Sequence, residues 1–309
     1  MLEVVNLTKR FKQIEAVKSV NLYLEKGESV GLLGPNGAGK STAISMISTL
    51  IKPTEGDVLY VGENMVQHPK KLRLAIGLVP QDLALFPQLT AEDNMFFFGK
   101  MYDLPSKELK KRVEEILIEV GLDERKKDKV KSFSGGMKRR LNIAIALIHK
   151  PQILIMDEPT VGIDPQSRSF ILKMVRKLQR EEQMTILYTS HYMEEVEYVC
   201  DRLYIMDRGS IIAAGTKDEV KGILRTEQSI SIQVSHTSPL FEERLKAHPN
   251  ITSVAAEPNQ YTIVTHQDEL FDEIFNMANE TSVKLLGIQV KPPSLEDVFL
   301  HLTGRKLRD

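Results

Sequence analysis

The stretch GPNGAGKST, at residues 34–42, constrains the fold of this chain more than any other sequence feature. It matches the pattern G-x-x-x-x-G-K-[ST], follows the apolar run ESVGLL, and runs into the helical pattern STAISMISTLI. Glycines allow backbone N–H groups to approach phosphate oxygens, and a helix that begins there directs its positive end at them. The order strand, glycine-rich loop, helix therefore predicts an α/β fold of the P-loop NTPase type.

The residues of this loop are predicted to bind a nucleoside triphosphate. Lys40 is expected to neutralise the β and γ phosphate oxygens, and the Ser41 hydroxyl is expected to reach Mg²⁺. The predicted nucleotide-binding residues of the loop are Gly34, Pro35, Asn36, Gly37, Ala38, Gly39, Lys40, Ser41 and Thr42.

A second apolar run, ILIMDEP at residues 153–159, ends in two carboxylates. Such a run is expected where a buried parallel strand ends at the edge of a nucleotide site. Asp157 is predicted to hold the metal ion through water, and Glu158 to polarise an attacking water molecule. The alternative is a pair of solvated carboxylates in a turn.

The strand and helix patterns predict two domains, at residues 1–226 and 227–309. Within the first domain, strand patterns flank residues 85–150, which carry helical patterns only and are predicted to form an inserted helical subdomain. After Thr226 the patterns follow the order strand, helix, strand, strand, helix, strand, which is the ferredoxin-like order, and a final helix is added. We therefore predict a small C-terminal α+β domain.

Composition excludes several classes of protein. The 41 Lys and Arg residues nearly balance the 42 Asp and Glu residues, so no net field favours nucleic acid or an anionic membrane surface. The single cysteine, Cys200, excludes an internal disulfide and is interpreted as buried filler. The N-terminus lacks the apolar core of a secretion signal, and no run reaches the roughly 18 apolar residues that a membrane span requires. A membrane role would therefore need a partner with spanning segments.

Six motifs occur in the order and spacing found in the ATP-binding subunits of ABC transporters, which this chain resembles over most of its first 200 residues. They are the phosphate loop, VPQD around Gln81, FSGGM, ILIMDEP, VGIDP, and TSH ending at His191. The resemblance implies the ABC ATPase fold, ATP and Mg²⁺ as cofactors, and a head-to-tail homodimer that holds two ATP molecules between its copies.

The resemblance also implies roles for individual residues. Gln81 would complete the Mg²⁺ shell with its amide oxygen, and the alternative is an ordinary polar loop residue. His191 would reach the γ-phosphate and hold the attacking water together with Glu158. Asp164 would lie at the dimer interface and couple the two sites. The residues Ile163, Asp164 and Pro165 also form a helix-start signal, which is the alternative interpretation. Phe11 would stack on adenine, and the alternative is a core side chain on a strand.

The stretch SFSGGMKRR, at residues 132–140, is the family's signature sequence in a variant form. A serine N-cap and two glycines at a helix start expose N–H groups to an anion, and Lys138 and Arg139 are expected to add positive potential. Met137 stands where glutamine is frequent and offers no amide. The predicted contacts to the ATP of the other copy are Ser134, Gly135, Gly136 and Met137. The alternative, a plain N-cap of a buried helix, leaves the use of both glycines unexplained.

Two further stretches concern partners. The run FFF at residues 96–98 places large apolar groups on several faces of a helix, so that one is left for a partner helix, unless all three pack inside the subdomain. The resemblance places the groove for the transmembrane partner between this block and the Gln81 loop. The tail at residues 292–305 is similar to that of ATPases serving ABC-2 exporters, including drug-resistance and antibiotic-resistance pumps of the daunorubicin and linearmycin type.

The leading hypothesis is therefore the ATPase subunit of an ABC-2-type exporter for a drug, an antibiotic or a lipid-like compound. It would act at the cytoplasmic face of the cell membrane beneath separate transmembrane permease subunits, with no nucleic acid partner. A soluble ABC ATPase of DNA repair or translation predicts a coiled-coil insertion or two cassettes, which the sequence lacks. A non-hydrolysing regulatory module predicts loss of Glu158 or His191, and a G protein would carry an N-K-x-D motif, which is also absent.

Overall fold

The structure, a computed structural model, describes residues 1–224, 228–265, 270–291 and 294–304. Two units divide between Ala214 and Gly215. The boundary at Thr226 lies outside the described residues and stays a prediction, and the division between the units falls earlier in the chain. Pro292 and Arg305, which bound the exporter-like tail, also lie outside the described residues.

The first unit contains two sheets and seven helices among the elements that precede Lys217. In chain order the elements are β1 (Leu2–Phe11), β2 (Ile14–Leu24), β3 (Ser29–Leu33), α1 (Lys40–Ile47), β4 (Glu55–Tyr60), β5 (Glu63–Asn64), α2 (Pro69–Ala75), β6 (Ile76–Val79), α3 (Ala91–Met101), α4 (Ser106–Glu119), α5 (Gly135–Leu147), β7 (Ile153–Met156), α6 (Pro165–Glu182), β8 (Thr185–Ser190), α7 (Met193–Val199), β9 (Arg202–Asp207) and β10 (Ser210–Thr216).

The larger sheet has the strand order β10-β9-β3-β8-β7-β6. The pairs β9-β3, β3-β8, β8-β7 and β7-β6 are all parallel. Every residue of β3, β7 and β8 is buried, because helices cover both faces of a parallel sheet. The carboxyl ends of these strands therefore meet at one edge, which is where such sheets bind their ligands. The smaller sheet has the order β2-β1-β4-β5, and each of its neighbouring pairs is antiparallel.

Three helices, α3 to α5, lie between β6 and β7, in agreement with the predicted inserted helical subdomain. A capping box begins α3, in which the Asp93 N–H donates to Thr90 Oγ1 at 3.0 Å. Gly121, with a φ of +65°, follows the end of α4, as is typical of a glycine that terminates a helix.

The second unit contains the predicted ferredoxin-like domain. Its elements are α8 (Lys217–Lys221), β11 (Gln228–Val234), α9 (Pro239–Ala247), β12 (Ile251–Glu257), β13 (Gln260–Thr265), α10 (Phe271–Glu280), β14 (Leu285–Lys291) and α11 (Leu295–Thr303). The antiparallel sheet has the order β12-β13-β11-β14, so the first strand of the domain lies between its third and fourth strands. This arrangement, with the added helix α11, confirms the predicted fold class.

Two further expectations, one about Cys200 and one about membrane-spanning segments, can be compared with this fold. Cys200 is fully buried, and its sulfur lies against Gly31 of β3, in agreement with its interpretation as core filler. Across the four described ranges of the chain, every helix is too short or too polar to cross a membrane.

Candidate functional site

The phosphate loop joins the end of β3 to the start of α1. Gly39, the N-cap of α1, has a φ of +105°, and a Cβ there would lie 2.5 Å from the carbonyl oxygen of Ala16. Only glycine fits both the backbone conformation and this close approach. The loop backbone is therefore held in a shape in which the α1 N-terminus faces the open edge of the sheet.

Lys40 is buried at this edge and makes three short polar contacts. Its Nζ donates to the carbonyl oxygens of Gly34 at 2.6 Å and Pro35 at 3.2 Å. The same nitrogen lies 3.1 Å from Glu158 Oε1. The ammonium is thus positioned inside the loop, where a phosphate oxygen would compete with these acceptors for it.

The residues predicted to hold a metal ion offer oxygen ligands only. Asp157 is buried at the end of β7, and its Oδ1 accepts from Thr189 Oγ1 at 2.8 Å. Burial raises the pKa of Asp157, while hydrogen bonds from Thr189 and Ser41 oppose that shift. Gln81 and Ser41 line the cavity beside the phosphate loop, and the Ser41 hydroxyl hydrogen-bonds to the Asp157 carboxylate. A hydroxyl, an amide oxygen and a carboxylate fit Mg²⁺, which prefers oxygen ligands and keeps part of its water shell.

Glu158 and His191 are brought into contact, as the sequence predicts. His191 Nδ1 lies 3.2 Å from Glu158 Oε2. Glu158 has a φ of +46°, and its N–H donates to Thr189 Oγ1 at 2.9 Å. A left-handed conformation is costly for a glutamate, and such conformations concentrate at functional sites. The backbone strain at the end of β7 directs the carboxylate between Lys40 and His191.

A cavity of about 390 Å³ extends from the phosphate loop along the edge of the sheet. Sequence reasoning missed five of its lining residues, which are Ile14, Glu15, Ala16, Arg208 and Gly209. Arg208 and Gly209 follow β9, the neighbour of β3, so the strand order alone could have identified them.

Phe11 is not among the described residues that line this cavity. Its side chain is 48% exposed, and the Lys9 ammonium lies 5.2 Å from the centre of its ring. The predicted stacking of Phe11 on adenine therefore stays a prediction, and Ile14, its partner across the β1–β2 turn, is the apolar side chain beside the loop.

The signature residues lie at the N-terminus of α5, apart from the phosphate loop. Ser134 is the N-cap, and its Oγ accepts from the Met137 N–H at 3.2 Å. Ser134 and Gly135 are exposed, and Met137 is half-buried. None of the signature residues is among the described residues that line the 390 Å³ cavity.

The two signature glycines have different relations to the fold. A Cβ on Gly136 would lie 1.9 Å from Ser167 Oγ and 2.4 Å from Ser167 Cβ, so glycine is required there by packing within one chain. A Cβ on Gly135 would find its nearest neighbour, the Gly162 carbonyl oxygen, at 3.8 Å. Packing within one chain therefore accounts for Gly136, whereas the fold of one chain gives no reason for glycine at position 135, and the predicted contacts of both glycines to ATP stay predictions.

The expectation that Arg139 adds to an anion site is wrong. Its side chain is 5% exposed, and its two Nη groups donate to the carbonyl oxygens of Pro80 at 2.9 Å and Gln81 at 2.8 Å. Burial lowers the pKa of the Arg139 guanidinium. Arg139 thus fastens the Gln81 loop to the signature helix.

Asp164 is the N-cap of α6, so its interpretation as a helix-start signal is confirmed. Its carboxylate accepts from the Ser167 N–H at 2.8 Å and from Ser167 Oγ at 2.7 Å. These hydrogen bonds hold the pKa of Asp164 below its usual range. Ser167 also packs on Gly136, so the starts of α5 and α6 meet at one point, and the coupling role of Asp164 stays a prediction.

Replacing Gly136 with alanine should destabilise the chain by about 1–3 kcal/mol, because an added Cβ overpacks the contact with Ser167. The matched control is Gly135→Ala, which meets only ordinary contacts and should leave the free energy of unfolding nearly unchanged. Chemical denaturation of both variants measures the difference. Equal stabilities would contradict the packing account of Gly136.

Two family models match this chain. One is described as "ABC transporter" and matches residues 17–161. The other is described as "ATP-binding protein DrrA1-3-like, C-terminal domain" and matches residues 215–303. The two matches fall in the first and second structural units respectively.

Whole-chain relatives are also found. The chain is 47% identical to a linearmycin resistance ATP-binding protein of Bacillus subtilis (strain 168), with 100% of both chains covered. It is 33% identical to a daunorubicin resistance ATP-binding protein of Streptomyces coeruleorubidus, with 96% of this chain and 93% of the relative covered. It is 34% identical to a Nod factor export ATP-binding protein of Ralstonia nicotianae (strain ATCC BAA-1114 / GMI1000), with 100% and 95% covered.

Solved structures agree with these relatives. A dimeric bacterial ABC transporter cassette aligns at 30% identity with a TM-score of 0.65, covering 70% of this chain and 98% of the cassette. A dimeric post-hydrolysis state of an ATP-binding cassette, bound to ADP and Pi, aligns with the same identity, TM-score and coverage. Since the sequence likeness extends over the whole chain and the fold agrees, the chain belongs to the ABC transporter family and is one of its ATP-binding proteins.

Proposed function

We propose that this ABC ATPase drives an exporter, and that two copies form a head-to-tail dimer with ATP and Mg²⁺ at two shared sites. The observation that carries the proposal is the contact of Lys40, Glu158 and His191 at one edge of the sheet. These three residues supply a cation, a carboxylate and an imidazole, which are suited to hydrolysis of the phosphoanhydride bond between the β and γ phosphates of ATP by water.

The chain's own groups account for the chemistry mainly by positioning and charge neutralisation. Lys40 would bind the γ-phosphate, and this contact would draw the ammonium away from Glu158 Oε1. Glu158 would then be available to orient a water molecule and accept its proton, while His191 holds the carboxylate from the other side. Mg²⁺, bound by Ser41 and Gln81 and by Asp157 through water, would supply further neutralisation of phosphate charge.

A second copy is proposed because the signature residues of one copy do not line the nucleotide cavity of that same copy. Ser134 and Gly135 are exposed at a helix N-terminus, which favours an anion, and the fold itself does not require glycine at position 135. A head-to-tail pair would place this helix end against the ATP in the other copy. Because ATP would bind the closed pair better than the separate copies, binding would close the dimer and hydrolysis would release it.

A groove beside the helical subdomain supports a transmembrane partner. A cavity of about 630 Å³ lies between α2, α3, α5 and β6, and it is lined by Leu74, Phe98 and Met101 among others. Lys70 and Arg73 are also in its lining. Apolar surface with a basic rim fits an amphipathic helix that carries acidic residues. We propose that the membrane subunit presents such a helix.

Phe98 of the FFF run lines this groove, and Phe97 is in ring contact with Phe98. Phe97 is 44% exposed, so the alternative in which all three phenylalanines pack inside the subdomain is wrong for this residue. The rings of Phe86, Phe97 and Phe98 lie within 6 Å of one another, with centroid distances of 4.8, 5.9 and 5.3 Å. Two members of this aromatic cluster are exposed, because Phe86 is 43% exposed as well, and such a cluster is a suitable anchor for a partner side chain.

The class of substrate is proposed from the relatives. Their names concern resistance to linearmycin and daunorubicin and the export of Nod factor. We therefore propose efflux of a drug, an antibiotic or a lipid-like compound, with this chain at the cytoplasmic face of the cell membrane. The alternative soluble ATPase calls for a long coiled coil, whereas the longest helix of the described chain is α6, with 18 residues. The non-hydrolysing alternative is disfavoured by the contact between Glu158 and His191.

The partner prediction can be tested by purification from solubilised membranes. The wild-type chain should recover a membrane protein with several spanning segments, and Phe97→Asp should lose it while its basal ATPase rate stays unchanged, because the groove is apart from the nucleotide cavity. The matched control is Tyr198→Asp, since Tyr198 is 48% exposed on α7. Recovery of DNA or ribosomes, or capture that Phe97→Asp leaves intact, would contradict the proposal.

A further inference from the structure

A buried carboxylate other than Asp157 and Glu158 lies near the turn that carries His191. Glu195, in the first turn of α7, is 0% exposed and has four side chains directed at it. Its Oε1 lies 2.7 Å from Thr160 Oγ1 and 2.6 Å from Arg168 Nε. Its Oε2 accepts from Tyr188 and Ser190 hydroxyls, each at 2.9 Å. The carboxylate therefore uses both oxygens for two contacts each.

Three of the four partners, Thr160, Tyr188 and Ser190, come from the segments that carry the proposed hydrolytic residues. Thr160 lies two positions after Glu158 in the chain, and Ser190 directly precedes His191. The Ser190 hydroxyl also accepts from the Tyr192 N–H at 2.9 Å, so it fixes the turn on both sides of His191. Glu195 thus joins the segment after β7 to the segment after β8.

Arg168 provides a second connection to His191. Its guanidinium carbon lies 4.4 Å from the centre of the Tyr192 ring, and that ring lies 4.2 Å from the His191 ring. Arg168 is in the first turn of α6, and its backbone N–H donates to the Asp164 carbonyl oxygen at 2.9 Å. Arg168 therefore contacts Glu195, the Tyr192 ring that packs against His191, and the start of the helix that Asp164 caps.

Stability alone gives a weak reason for such a network. A buried carboxylate loses its hydration, and the ion pair and hydrogen bonds that replace it often offset this loss without a net gain. A fully satisfied polar network does specify one geometry, since any displacement leaves a buried polar group without a partner. Burial raises the pKa of Tyr188 well above its usual range, so its phenol remains a neutral donor to Glu195.

We propose that Glu195, together with Arg168, is a positioning residue for hydrolysis that holds His191 at hydrogen-bonding distance from Glu158. This inference rests on the proposed roles of Glu158 and His191. The contact between those two residues is 3.2 Å, so a shift of the His191 turn by a fraction of that distance breaks it. Glu195 itself contacts neither phosphate nor water in this scheme and acts through Ser190 and Tyr192.

The first test measures ATP hydrolysis by the full-length variants Glu195→Gln and Arg168→Gln. The turnover number should fall about 10- to 100-fold, as expected for a misplaced catalytic group, with the KM for ATP nearly unchanged because the phosphate loop is intact. Arg168→Lys should recover part of the loss. Arg168 is partly exposed, so its variants keep the test informative if Glu195→Gln fails to fold.

The matched structural control is Arg176→Gln. Arg176 also joins α6 to the region of α7, donating to the Val199 carbonyl oxygen at 2.9 Å and to Asp201 at 3.1 Å, but it lies at the far end of α7 from His191. This variant should lose stability and keep its turnover number. An equal loss of turnover in Arg176→Gln and Arg168→Gln would overturn the inference.

A double-mutant cycle separates positioning from general damage. If Glu195 acts through His191, Glu195→Gln should cause little further loss of turnover in a His191→Ala background, because residues that act as a unit are not additive. An undiminished loss in that background overturns the inference. If His191→Ala and Glu158→Gln alone retain wild-type turnover, the proposed function of the site fails instead, whatever the Glu195 variants show.

Discussion

Glu158→Gln should lower the rate of ATP hydrolysis by about 10²- to 10⁴-fold, the range expected for loss of a general base. The amide is nearly isosteric with the carboxylate but accepts a proton poorly at neutral pH. ATP binding should persist, because the amide no longer competes as an anion for Lys40, which lies 3.1 Å from Glu158 Oε1. The variant should therefore accumulate as an ATP-bound dimer.

Mass measurement in solution with ATP and Mg²⁺ tests both parts of this expectation. A persistent monomer at micromolar protein would contradict the head-to-tail dimer, and wild-type turnover would contradict the role of Glu158. The matched control is Glu28→Gln, which removes another carboxylate of the same unit, 2.7 Å from Arg202 Nε and outside the nucleotide cavity. This control should hydrolyse ATP at the wild-type rate.

The convergence of the predicted site residues could be derived from sequence because each follows a strand. Gln81, Asp157 and His191 come directly or almost directly after β6, β7 and β8. Alternating strand and helix patterns predict a parallel sheet, and in a parallel sheet the carboxyl ends of neighbouring strands meet. The ferredoxin-like unit was predictable for a similar reason, since its strand and helix periods change in a recognisable order.

The side-chain directions at the signature helix could not be derived in this way. The run KRR contains three cations, and nothing in their spacing shows that Arg139 is buried beneath the Gln81 loop while Lys138 is half-buried. The difference in burial between Arg139 and Lys138 depends on a tertiary contact, in which the inserted subdomain approaches the end of β6. Arg140 is likewise used inside the chain, where it donates to the Val120 carbonyl oxygen at 2.9 Å.

Other site residues were missed because their local patterns are ordinary. Arg208 lies in a turn after β9, where a charged residue is common. Glu195 lies in MEEVEYV, a short helix with three glutamates, and only the fold shows which of them is buried. Ile14 belongs to the smaller sheet, whose position beside the phosphate loop is not encoded in the periodicity of either sheet.

The difference between Gly135 and Gly136 leads to a second prediction, which concerns the rate of ATP hydrolysis. Gly135→Phe should leave ATP binding by the single chain unchanged, because none of its described contacts involves the phosphate loop. The added ring would project from the exposed start of α5, where the nearest atom to a new Cβ is 3.8 Å away, and would therefore occupy the space proposed for the ATP of the other copy. ATP hydrolysis should fall by about 10²-fold or more, the cost of losing donors that stabilise phosphate charge.

Mixing two inactive variants tests whether this contact is made between copies. Lys40→Ala impairs the phosphate loop and keeps the signature, whereas Gly135→Phe impairs the signature and keeps the loop. In a head-to-tail dimer of one copy of each, one shared site combines an intact loop with an intact signature, and the other combines both defects. The mixture should therefore regain ATP hydrolysis that neither variant has alone. If the signature served the ATP of its own chain, no copy would hold an intact site and the mixture would remain inactive.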